Sequence, residues 1–230
     1  MNYRTAIPNF LTSLNLIFGM LSIFASFEQN FTMAGIFIIL AMVADAMDGR
    51  AARHFGVSGE FGKELDSLCD LCSFGVAAGV LIYQFALIEF GMLGKLAAVI
   101  FAVAMAFRLA RFNVMVSSVS GYFMGLPAPG GGCILGTFVI ANFALDPIVV
   151  LVGVFVYAYI TVSAIRYPDF KGKGNPIKTP STIISAMIIA YIVYIIPAGG
   201  LVRAIPFLIF FSYSLVGVVN HFYCMLFARA

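Results

Sequence analysis

Apolar residues in this chain come in long, nearly unbroken runs, not in the alternation of a half-buried strand or the single stripe of a surface helix. A helix needs roughly 17–25 mostly apolar residues to cross a bilayer. By that measure the runs predict eight spans, at about 11–27, 32–52, 64–88, 92–113, 124–144, 147–165, 181–197 and 203–227. The breaks carry turn chemistry or charge: Glu28-Gln29-Asn30, the segment from His54 to Gly62, Glu89 to Gly91, Asp146-Pro147, Tyr167 to Pro180, and Pro197-Ala198-Gly199-Gly200. No small-residue cleavage site follows the first run, and equally apolar runs come after it, so it reads as a span and not as a removable signal. The expected architecture is all-α and polytopic.

Composition agrees with the pattern. Of 230 residues, 62% are hydrophobic and 10% charged, against roughly 45–50% and about 25% in soluble globular chains. That excludes an ordinary cytosolic domain, a disordered chain and a basic-patch binder of nucleic acid. The net charge of +3 matters less than its placement, because lysine and arginine concentrate in cytoplasmic loops. With the N-terminus inside, Arg4, Arg50, Arg53, Lys63, Arg108, Arg111, Arg166, Lys171, Lys173, Lys178 and Arg229 fall on the inner face, and Lys95 and Arg203 on the outer. An even number of spans then puts both termini in the cytoplasm. The four cysteines lie in apolar surroundings and do not make a secreted disulfide framework. Cys69 and Cys72 form a CxxC, but without a histidine-rich partner they read as packing residues. His54 and His221 are isolated and read as structural.

Carboxylates inside spans are rare and usually functional. Asp45 and Asp48 lie near the inner end of the second predicted span, and Asp66 and Asp70 near the inner end of the third. Residues three or four apart share a helix face, about 4.5–6 Å apart along the axis. The two helices are joined by a short loop and must run antiparallel, so four carboxylates meet at one depth. Hard divalent cations, Mg²⁺ or Mn²⁺, would neutralise them, and two such ions are the usual device for phosphoryl displacement. Gly49, Ala52 and Gly62 are small enough for a ligand to approach the backbone, and Arg53 suits a phosphate oxygen. Two other readings use the same residues. One is an ionic lattice of these aspartates with Arg50, Arg53 and Lys63; the other is a divalent-cation transporter, whose site belongs near the bilayer midplane.

The stretch Asp45-Ala46-Met47-Asp48-Gly49-Arg50-Ala51-Ala52-Arg53, eight residues, then Gly62-Lys63-Glu64-Leu65-Asp66-Ser67-Leu68-Cys69-Asp70 resembles the signature of the CDP-alcohol phosphotransferases at all eight fixed positions. The opening Ile7-Pro8-Asn9-Phe10-Leu11-Thr12, with Asn15 and Gly19, is similar to the family's first segment. The resemblance implies an integral membrane enzyme that moves a phosphatidyl group from a CDP-linked donor to an alcohol and releases CMP. It implies that Asp45, Asp48 and Asp66 hold the ions, that Asp70 is the general base with a possible metal contact, and that Asn15, Gly49, Ala52, Arg53 and Gly62 line the nucleotide site. Phe107-Arg108-Leu109-Ala110-Arg111-Phe112-Asn113, Gly125-Leu126-Pro127-Ala128-Pro129 and Ser163-Ala164-Ile165-Arg166-Tyr167-Pro168-Asp169-Phe170-Lys171 resemble the branch that uses CDP-diacylglycerol and L-serine. Gly130-Gly131-Gly132 departs from it, since alanine is expected after the proline.

The domain expectation is one membrane domain over 1–230, with a catalytic core at about 5–175 and a C-terminal helix pair at about 181–228. A homodimer in contact with membrane lipid is expected, in the plasma membrane for a bacterial chain. Arg108 and Arg111, three apart, share a face and suit a substrate phosphate or the serine carboxylate. The resemblance adds Asn113 to that set, whereas the bland alternative for the arginines is an interfacial anchor. Lys171, Lys173 and Lys178 form a run near lipid headgroups or solvent. Physical reasoning leaves glycerol 3-phosphate and inositol phosphate open as acceptors.

Overall fold

The computed structural model describes residues 3–57, 59–115, 122–168, 177–196 and 198–227. Asp169, Phe170, Lys171, Lys173 and Arg229 lie outside them. The helices are α1 (Tyr3–Phe27), α2 (Phe31–Phe55), α3 (Glu60–Phe90), α4 (Met92–Met115), α5 (Ala128–Ala141), α6 (Pro147–Val162), α7 (Thr179–Ile195) and α8 (Ala198–Phe227). Their ends follow from local chemistry. Asn30 caps α2 by accepting from the Met33 amide, and Gly56, at φ 63°, ends it in the left-handed region. Asp146 caps α6 by accepting from the Ile148 amide, with Pro147 supplying the preset first turn. Asn142, at φ 52°, closes α5.

Five helices, α1 to α4 and most of α8, are long and apolar enough to cross a membrane, while α5, α6 and α7 are shorter apolar helices. Large apolar residues such as Leu93, Val99, Val152, Ile188 and Ile209 are exposed, a surface that water would penalise and lipid accepts. An all-α membrane protein accounts for both observations.

Two features depart from uniform helices. α3 passes through π-helical turns at Leu71–Ala77 and Tyr83–Leu87, the first beginning directly after Asp70. The predicted fifth span, 124–144, is replaced by a short strand β1 (Tyr122–Met124) and the 14-residue α5. Gly125, at φ 75°, and Pro127 separate the two. β1 pairs antiparallel with β2 (Arg166–Pro168), with Tyr122 opposite Pro168 and Met124 opposite Arg166.

α5 is the centre of the fold, packed against α2 and α8 and buried along nearly its whole length. Glycines allow this closeness: a Cβ on Gly35 would fall 2.6 Å from the Gly136 carbonyl oxygen, and one on Gly132 2.7 Å from the Phe74 backbone. Small residues at such contacts are how apolar helices gain packing when lipid competes equally well for their surface.

Candidate active site

The N-terminal part of α1, the C-terminal part of α2 and the N-terminal part of α3 converge at one end of the bundle. Ligand oxygens of Asp45 and Asp48 on α2 and Asp66 on α3 all lie within 4.8 Å of one another. The Asp45 and Asp66 carboxyl groups are in contact, and the second buried oxygen of Asp66, Oδ1, has no hydrogen-bond partner. Among the described residues no lysine or arginine forms an ion pair with any of the three, so the ionic lattice drawn from the sequence is absent. Three converging carboxylates with an orphaned oxygen are a poor arrangement for bare anions and a suitable one for a hard cation with oxygen ligands.

A cavity of about 780 Å³ lies against this group, lined by Asp48, Gly49 and Ala52 from α2, by Gly62 and Asp66 from α3, and by Thr5, Pro8, Asn9 and Thr12 from α1. The glycines here differ from those in the core. A Cβ on Gly49 would come 3.4 Å from Arg53 Nη1 and one on Gly62 3.6 Å from Asn9 Oδ1, so neighbouring packing forbids neither. Their smallness leaves a bare backbone surface beside the carboxylates, and Arg53 extends over it from the next turn of α2.

Asp70 lies one turn along α3 from Asp66, almost fully buried, where it accepts a 2.9 Å hydrogen bond from Asn15 Nδ2. Arg108 is buried on α4 within electrostatic reach of Asp70 and Asp45. Its guanidinium stacks over the Phe112 ring at 5.6 Å, and its Nε has no partner. A buried cation needs anionic compensation, and the carboxylates supply it.

The chain matches the CDP-alcohol phosphatidyltransferases over residues 5–219. It belongs to that family. The match spans the signature, the cavity and the helices behind it, so the protein is an enzyme of the CDP-alcohol phosphotransferase class. It is 37% identical over 171 residues to a Bacillus subtilis protein named CDP-diacylglycerol–serine O-phosphatidyltransferase, covering 74% of this chain and 93% of that one. A Helicobacter pylori protein of the same name is 33% identical over 176 residues, covering 71% and 72%. An archaetidylserine synthase of Methanothermobacter thermautotrophicus is 35% identical over 174 residues, covering 74% and 72%.

Within this family member the residues singled out by sequence separate into groups. Asp45, Asp48 and Asp66 come together, with Asp70 and Arg108 adjoining, and Gly49, Ala52 and Gly62 line the cavity. Asn15 is fully buried and turned to Asp70, away from the cavity lining. Arg111 shares the helix with Arg108 but donates to the carbonyls of Val162 (2.8 Å), Met124 (3.0 Å) and Ser163 (3.1 Å). It ties α4 to β1 and to the end of α6. Asn113 donates to Ser67 Oγ at 3.0 Å, and its carbonyl accepts from Lys63 Nζ at 2.8 Å, joining α4 to α3. Sequence reasoning gave no role to Thr12, whose hydroxyl lies 2.6 Å from Asp48 Oδ2. The usable signal was a polar residue inside an apolar span, one turn before Asn15.

Proposed function

We propose that the protein transfers the phosphatidyl group of CDP-diacylglycerol to the hydroxyl of L-serine, forming phosphatidylserine and releasing CMP, with Mg²⁺ or Mn²⁺ bound in the site. The observation that carries the reading is the bare backbone floor of Gly49, Ala52 and Gly62 beside the Asp45, Asp48 and Asp66 group. It offers a diphosphate close approach with cation ligands alongside. Divalent ions held by these carboxylates, two in the usual device, would neutralise the diphosphate and stabilise CMP as the leaving group.

The chain's own residues do the rest. Arg53 holds a phosphate oxygen above Gly49. Asp70 takes the proton of the serine hydroxyl as its oxygen attacks the lipid-side phosphorus, and the bond from that phosphorus to the CMP oxygen breaks. Arg108 pairs with the serine carboxylate. Serine is preferred to glycerol 3-phosphate or inositol phosphate because relatives covering most of the chain are named for it. Arg111 is engaged with backbone carbonyls, which leaves Arg108 as the buried cation of that pair beside the carboxylates and favours a zwitterion over a doubly charged phosphate ester.

The reading includes one membrane domain of eight spans over 1–230, both termini cytoplasmic, the site facing the cytoplasm, and a homodimer. A lipid donor needs lateral entry between spans from the inner leaflet. The test is purified protein given CDP-diacylglycerol with L-serine, glycerol 3-phosphate and inositol phosphate together, with CMP and lipid products measured. Phosphatidylserine should dominate; another dominant phospholipid refutes the acceptor, and no CMP release refutes the reaction.

A further inference from the structure

α1 contributes none of the signature aspartates, yet its buried face donates a hydrogen bond to one member of each aspartate pair. We propose that Thr12 and Asn15 are positioning residues, Thr12 aiming Asp48 and Asn15 aiming Asp70. The proposal rests on Asp48 as a cation ligand and Asp70 as the base.

Thr12 and Asn15 are three apart and therefore on one face of α1. The Thr12 hydroxyl lies 2.6 Å from Asp48 Oδ2, and Asn15 Nδ2 lies 2.9 Å from Asp70 Oδ1. Thr12 is 4% exposed, Asn15 0%, and both aspartates 6%, so each carboxylate takes a buried protein donor as its near partner. The terminal torsion of an aspartate is broad and roughly two-fold, and a free carboxylate plane turns easily. One donor on one oxygen fixes the plane and leaves the other oxygen for a cation or a proton.

Asn15 is itself fixed. Its main-chain carbonyl accepts from Ser73 Oγ at 2.8 Å, and Ser73 lies in the π-helical turn that begins directly after Asp70. Gly19, one turn further along α1, lies so close to Ser73 that any Cβ there would meet the serine side chain. That approach brings a side chain as short as asparagine within reach of Asp70. An ionised carboxylate only accepts, so the amide must present Nδ2 to it, and Asn15 Oδ1 is left buried without a partner. An orphaned buried carbonyl costs stability, and its persistence indicates that the donor serves Asp70 and not the packing.

Partners that orient metal ligands typically cost about 10–100-fold in metal affinity or activity when removed. The experiment uses the full chain in detergent, with Mn²⁺ binding followed by electron paramagnetic resonance alongside steady-state kinetics. Thr12→Val should weaken Mn²⁺ binding about 10–100-fold, and Thr12→Ser, which keeps the hydroxyl, should recover most of it. Asn15→Leu should lower kcat about 10–100-fold while leaving Mn²⁺ affinity and the KM for L-serine nearly unchanged. Wild-type Mn²⁺ binding by Thr12→Val, failure of Thr12→Ser to recover it, or wild-type kcat in Asn15→Leu would each overturn the corresponding half. If Asn15→Leu does not fold, Asn15→Ala is held to the same split between kcat and KM. Asp48→Asn and Asp70→Asn are measured beside them. Unchanged Mn²⁺ binding in the first or unchanged turnover in the second refutes the underlying assignment directly, and with it the half that depends on it.

Discussion

Gly132 of α5 lies directly against Phe74 of α3, so close that a Cβ at 132 would stand 2.7 Å from the Phe74 Cα. Phe74 is in the π-helical turn that follows Asp70, which makes the contact between the central helix and the end of the aspartate row a matter of a single missing methyl group. The family resemblance leads to an expectation of alanine after Pro129, where Gly130-Gly131-Gly132 stands. The structure gives the physical reason for glycine.

Gly132→Ala should therefore lower stability by about 1–3 kcal/mol, the usual cost of overpacking, read as a reduced melting temperature in detergent. Gly153→Ala, where nothing lies within 4 Å of the added atom, should raise stability slightly, because alanine outranks glycine in a helix by about 0.5–1 kcal/mol. Equal behaviour of the two variants would contradict the packing described for α5.

Gly49→Ala and Gly62→Ala should show the opposite separation. The added atoms meet only the ends of the Arg53 and Asn9 side chains, so both variants should melt near the wild type. If the diphosphate rests on this floor, the KM for CDP-diacylglycerol should rise at least about tenfold, a change of roughly 1.4 kcal/mol. A melting temperature several degrees lower would make these packing glycines instead.

The two arginines of α4 should behave differently although they share a face. Arg111→Met removes donors from three carbonyls and should cost about 1–3 kcal/mol of stability. Arg108→Gln should chiefly raise the KM for L-serine, by about tenfold or more, because a charge-assisted hydrogen bond contributes about 1.5–3 kcal/mol. An unchanged serine KM in Arg108→Gln would remove the acceptor role proposed for it.

Chelation should abolish CMP release, and Mg²⁺ or Mn²⁺ should restore it. Asp45→Asn and Asp66→Asn should weaken Mn²⁺ binding and donor binding together, since both carboxylates belong to the same three-residue group. Sealed vesicles carrying the protein should take up no Mn²⁺; uptake without CMP production would identify a transporter.

The helical membrane character, most of the helix positions, the two aspartate pairs and the small residues between them were legible in the chain alone. Each is a local property: the length of an apolar run, or the three- and four-residue spacing that places Asp45 with Asp48 and Asp66 with Asp70 on one face. What the tertiary structure decided depends on how closely segments distant in sequence approach. Spacing put Arg108 and Arg111 on one face, but only packing sent one toward the carboxylates and the other to the carbonyls of Met124, Val162 and Ser163. Asn15 became a donor to Asp70 where Gly19 lets α1 close on the π-helical turn, and Thr12 became a donor to Asp48 where α1 packs on α2. The same one-atom distinction separates Gly49 and Gly62, which meet only the ends of the Arg53 and Asn9 side chains, from Gly132, which faces Phe74. A single sequence records that each residue lacks a side chain, and the reason lies in what stands opposite it.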